Sequence, residues 1–73
     1  KRIAGRRFEL RDGSWFQEDY ENQETLEIAR DGSKMRALID SEPELADILA
    51  LREGVVFQHD SAWYRLLPVE QPQ

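Results

Sequence analysis

Polar and apolar residues alternate from Arg6 to Arg11, with Phe8 and Leu10 on one side and Arg7, Glu9 and Arg11 on the other. A period of two over that length marks a half-buried strand. Asp12-Gly13-Ser14 follows, and Asp-Gly is a strong hairpin signal, because glycine takes positive φ without steric cost and aspartate tolerates the left-handed region. Trp15 to Tyr20 is therefore expected to return antiparallel. Two registers fit its pattern, Trp15, Gln17 and Asp19 inward or Phe16, Glu18 and Tyr20 inward, and the pattern leaves both open. After a polar bend at Glu21-Asn22-Gln23, Leu26 and Ile28 alternate with Thr25 and Glu27 and predict a third strand over residues 24–29.

The period then changes. Asp31-Gly32-Ser33 is a second turn, with Ser33 placed to cap a short helix in which Met35, Leu38 and Ile39 fall at i, i+3 and i+4. Ser41-Glu42-Pro43-Glu44 has the form of a capping box, with Pro43 in the first turn and two glutamates at the positive end of the helix dipole. It predicts a second helix with Leu45, Ile48 and Leu49 as the buried stripe, ending near Arg52 and Gly54. Val55–His59 and Ala62–Leu67 are two more apolar runs, joined by His59-Asp60-Ser61 as a terminal hairpin. The predicted fold class is α+β: a three-stranded antiparallel meander, a short two-part helical segment and a C-terminal β-hairpin, in the order β-β-β-α-α-β-β. Residues 1–68 form the expected single domain and residues 69–73 a polar, proline-bearing tail. Both ends have the character of a segment within a longer chain.

Length sharpens the picture. With 73 residues, a single core is only just sufficient, since a domain of this size buries roughly 60% of the surface its unfolded chain exposes. The chain has no cysteine and one histidine, so neither a disulfide nor a thiolate zinc site is expected to brace it. The seven aromatics, Phe8, Trp15, Phe16, Tyr20, Phe57, Trp63 and Tyr64, are the expected anchors of the core. Absence of cysteine leaves the compartment open. No run approaches the roughly 20 apolar residues of a membrane span, and the basic start is not followed by the apolar run of a signal peptide. No membrane contact by this segment is expected.

Charge is unevenly placed. The net charge is −5, made of +4 over residues 1–11 and −9 over the remainder. An acidic balance argues against phosphate backbones as partners, while the basic N-terminal strand leaves one opening for them. Arg2, Arg6, Arg7 and Arg11, interleaved with Phe8 and Trp15, would suit a single strand of nucleic acid, which stacks on aromatics and is held by cations. The plainer reading sets that strand against the chain's own acidic residues. Arg6, Arg7, Arg11, Trp15, Glu18 and Asp19 are accordingly the candidate interaction residues. The carboxylates between Glu18 and Glu27 match no defined calcium loop, and a solvated acidic face accounts for them. His59 falls at a predicted turn, and Ser14, Ser33, Ser41 and Ser61 fall at turns or caps, so no catalytic residue is assigned. Gly5, Gly13, Gly32 and Gly54 stand apart, unlike a phosphate loop. No metal and no cofactor is expected.

The segment Gly5-Arg6-Arg7-Phe8-Glu9-Leu10-Arg11-Asp12-Gly13-Ser14-Trp15, followed by Tyr20, resembles the opening of a small C-terminal module found in some bacterial proteins with VIT and von Willebrand factor A domains. Pro43-Glu44-Leu45-Ala46, Leu49-Ala50-Leu51 and Val55-Val56 are similar to that module's helix and following strand. The resemblance spans Gly5 to about Leu66, and the chain departs from it between Glu18 and Glu27 and at Gln58-His59-Asp60. It implies an appended, non-catalytic accessory module of a bacterial multidomain protein, in the cell envelope or secreted, whose partner is another protein or a neighbouring domain of the same chain. The adhesion metal motif of the von Willebrand factor A domain has no counterpart here.

Overall fold

The computed structural model describes residues 1–69. The chain builds β1 (Arg2–Ile3), β2 (Arg6–Arg11), β3 (Ser14–Gln17), β4 (Thr25–Ile28), α1 (Ser33–Ser41), α2 (Leu45–Leu49), β5 (Gly54–His59) and β6 (Ala62–Leu66). The fold is mixed α+β, with the expected succession of elements preceded by the short β1. The six strands form one sheet in the order β1-β2-β3-β5-β6-β4.

Local turn chemistry sets three of the connections. Ala4-Gly5, Asp12-Gly13 and Asp60-Ser61 each place two successive residues at positive φ. Each links antiparallel neighbours through the two-residue hairpin geometry that matches strand twist. The β2–β3 register pairs Phe8 with Gln17 and Leu10 with Trp15. That decides between the two registers left open: Trp15 and Gln17 share the face of Phe8, and Phe16 lies on the other. Leu10 is on Phe8's face by alternation yet mostly exposed, so the covering layer ends before it.

The third strand departs from the expected meander. β4 pairs with β6, in parallel, at the far edge of the sheet, and β5 takes the place beside β3, also in parallel. Burial explains the exchange. Gly54 to Phe57 are all buried, and a strand covered on both faces needs neighbours on both sides. β4, with two exposed residues in its centre, suits an edge. Residues 18–24 span the end of the sheet to reach it. Gly54, expected to end the second helix, instead opens β5. A Cβ there would stand 2.7 Å from the Ser14 hydroxyl oxygen and 3.2 Å from Pro68 Cδ, so close strand approach fixes the glycine.

The helices cover one face. Ile3, Phe8, Ile28, Leu38, Leu45, Ile48, Leu49, Val55, Phe57, Tyr64 and Leu66 form a single apolar cluster, with Met35, Ile39 and Trp15 packed against it. Of the seven aromatics, Phe8, Phe57, Trp63 and Tyr64 are buried, whereas Trp15, Phe16 and Tyr20 are only half-buried. The capping expectations shift. α1 starts from Gly32 without a side-chain cap. Ser41 is still helical, because the next N–H, that of Glu42, donates to Leu38 O at 2.9 Å. The Ser41 capping box is therefore not formed, and tight turns through Glu42-Pro43-Glu44 carry the chain into α2.

Arg30 closes the opposite end of the molecule. Its guanidinium donates to the carbonyls of Leu67 (3.0 Å), Leu49 (3.4 Å), Arg52 (3.5 Å) and Glu53 (3.1 Å). The last three follow or end α2, where free carbonyls accumulate and a cation is favoured. Burial lowers the Arg30 pKa, partly opposed by Asp31 and Glu53. Val69, assigned by sequence to the tail, donates its N–H to Arg52 O; the rest of that tail, residues 70–73, lies outside the described residues. Among those described, no helix is long and apolar enough to cross a membrane.

Candidate functional site

The six candidate residues divide between the two ends of the β2–β3 hairpin. Arg6, Arg7, Glu18 and Asp19 share a shallow groove at one end, where the Glu18 N–H donates to Arg7 O at 2.9 Å. Arg11 and Trp15 lie at the other end, beside the Asp12-Gly13 turn. The structure therefore brings four of the six together and separates two.

Their charges are largely engaged. Arg6 turns to the helical side, where its guanidinium meets Gln17 Oε1 at 3.3 Å, the two Glu42 oxygens at 3.5 and 3.3 Å, and the Gln58 carbonyl. Arg11 pairs with Glu9 at 2.7 Å and lies with Cζ 6.0 Å from the Phe16 ring centroid. The hydrogen bond and charge of Arg11 hold the Glu9 carboxyl below its ordinary pKa. Trp15 Nε1–H donates to Glu53 at 3.2 Å, and Lys1 Nζ stands 5.2 Å from the Trp15 ring. Arg7, Glu18 and Asp19 remain exposed.

Sequence reasoning missed the arrangement around Glu42. Its Oε2 accepts from Arg6 and also lies 2.8 Å from His59 Nδ1. The three side chains are 20%, 35% and 15% exposed for Arg6, Glu42 and His59. They border an open groove of about 560 Å³ with Gln17, Gln58 and Ser61. A carboxylate on Nδ1 is the orienting half of a general-base couple, yet among the described residues no hydroxyl is hydrogen-bonded to His59. What the cluster does is tie the turn between α1 and α2 to the ends of β2 and β5. The S-x-x-E spacing pointed to capping and concealed this use of Glu42.

Two further surfaces lie on β4 and the face away from the helices. On that face Phe16, Tyr20 and Trp63 form a row with centroids 5.5 and 5.4 Å apart, the Tyr20 hydroxyl donating to Gln23 O. β4 is an edge, and beside it runs a groove of about 600 Å³ lined by Gln23, Glu24, Thr25, Leu26, Ala62 and Trp63. Leu26 is 57% exposed. β1 and β4 are the two edges of the sheet, and the C-terminal strand β6 is interior. Among the described residues no three or more His, Cys, Asp or Glu gather as metal ligands.

No protein-family model matches the chain, no curated protein matches it, and no solved structure matches it.

Proposed function

We propose that this chain is a non-catalytic accessory domain of a larger bacterial multidomain protein, mediating protein contacts within that protein or with another. One observation carries the reading: Leu26 stands more than half exposed in the middle of an edge strand. Single exposed leucines are ordinary on a surface. One on a strand whose outer backbone is free to pair is a contact site, since such an edge accepts an added strand. The likeness of Gly5–Trp15 and of Pro43–Val56 to the accessory module of von Willebrand factor A domain proteins supports the same class and a place in the envelope or outside the cell. The test is photo-crosslinking from positions 10, 26 and 67 in the cells that produce the protein. A discrete protein adduct is expected; saturable turnover by protein purified to homogeneity overturns the reading.

A second reading is a module for single-stranded nucleic acid. The row Phe16–Tyr20–Trp63 on the helix-free face, with Arg11 over Phe16, is the observation that favours it. Engagement of Arg6 by Glu42 and of Arg11 by Glu9 weakens it. This reading requires oligonucleotide binding that falls steeply with salt, and no binding at low salt removes it.

A further inference from the structure

The open edge also specifies what chemistry it would accept, on the footing that the chain is an interaction domain. β4 is hydrogen-bonded to β6 on one side only, and among the described residues its backbone makes no bond outside that ladder. β1, the opposite edge, has only two residues. From Glu18 to Ile28 the chain carries Glu18, Asp19, Glu21, Glu24 and Glu27 and no lysine or arginine. None of these five carboxylates is in an ion pair among the described residues. The nearest cation along the chain, Arg30, is committed to four backbone carbonyls.

The β4–β6 register fixes the pattern of side chains. Leu26 and Ile28 pair with Tyr64 and Leu66 of the core face, whereas Thr25 and Glu27 pair with Trp63 and Arg65 on the helix-free face. A strand laid outside β4 continues this alternation. Its residue beside Leu26 covers exposed apolar surface, and its residues on either side project toward the opposite face, where Glu27 stands. A second copy of the chain is the wrong occupant, because laying one β4 edge against another brings two acidic runs, each holding Glu18, Asp19, Glu21, Glu24 and Glu27, together across one seam. We infer that β4 receives an extended segment of a partner protein in which apolar and basic residues alternate, added as a seventh strand. Backbone pairing holds it, Leu26 and the groove toward Ala62 select the apolar residue, and the acidic run selects the basic ones.

The test uses a capped seven-residue peptide of alternating lysine and valine, titrated into the isotopically labelled chain and followed by amide NMR. Shifts centred on residues 23–28 and 61–63 are expected, with binding weakened by about tenfold or more in Leu26→Lys and separately in Glu27→Lys. Backbone N-methylation of alternate peptide residues, made in both phases, is expected to abolish binding in the phase that blocks the donors facing β4. Equal binding by both methylated peptides, or by a glutamate–valine peptide, overturns the inference, as does an absence of shifts. Concentration-dependent shifts of the same residues without peptide overturn it in favour of a second copy. If the peptide fails while crosslinks from positions 10 or 67 persist, the interaction reading stands and only the assignment of β4 falls.

Discussion

Oε2 of Glu42 is shared between His59 Nδ1 at 2.8 Å and the Arg6 guanidinium at 3.3 Å. These residues come from the turn after α1, the end of β5 and the start of β2, so one carboxylate joins the helical layer to two strands. Glu42→Ala is expected to lower stability by about 1–2 kcal/mol, the cost of leaving partly buried donors without their acceptor. Glu42→Gln, which keeps one acceptor oxygen, should lose less. Urea denaturation midpoints at constant slope measure both.

Arg30 offers a sharper contrast. Its planar fork serves four carbonyls around the end of α2 and the segment just after β6, which a single ammonium cannot reach together. Arg30→Lys is therefore expected to recover little of the loss in Arg30→Ala, which should be about 2–3 kcal/mol. Thermal and urea unfolding of the two variants, compared with the parent, decide it.

The β5–β6 turn holds Asp60 at φ 51° and Ser61 at φ 68°, a conformation that favours asparagine and glycine. Ser61→Gly should stabilise by about 0.5–1 kcal/mol, the relief of left-handed strain less the greater chain entropy of glycine. Asp60→Asn with Ser61→Gly should gain slightly more. A lowered melting temperature in the double variant would contradict this account of the turn.

The two tryptophans should part company. Trp63 is buried and packs edge-on to Tyr20, so Trp63→Ala should cost roughly 3–5 kcal/mol, a large share of what a small domain possesses. Trp15 is half-buried at the margin of the core, and its loss should cost distinctly less. Circular dichroism melts of the two variants give the order.

Local chemistry made much of the fold legible. Asp12-Gly13 announces its hairpin because the geometry needs positive φ at two adjacent residues, and Leu45, Ile48 and Leu49 announce a helix because their spacing fits one face of it. The neighbour of β4 was not legible. Residues 24–29 describe a strand equally well beside β3 or beside β6, and the choice rests on β5, a stretch more than twenty residues away whose four buried residues claim the centre. The same holds for the site. Ser41-Glu42-Pro43-Glu44 satisfies the local rule for a cap, but Arg6 and His59, 36 and 17 residues from Glu42 in sequence, take the carboxylate. Of the six candidate residues, Arg7, Arg11, Glu18 and Asp19 kept the exposure a contact surface needs, Arg11 while paired with Glu9, whereas Arg6 and Trp15 were drawn into the packing.

The insertion of β5 and β6 between β3 and β4 sets a timetable for the chain as it is made. While Gly54 and everything after it remain on the ribosome, β3 has only β2 beside it and β4 has no strand to join. Nascent domains complete their long-range pairings only when the last partner emerges. Here the two halves of the sheet meet through β5 and β6, which are synthesised after both β3 and β4, so the sheet closes only once Leu66 is free.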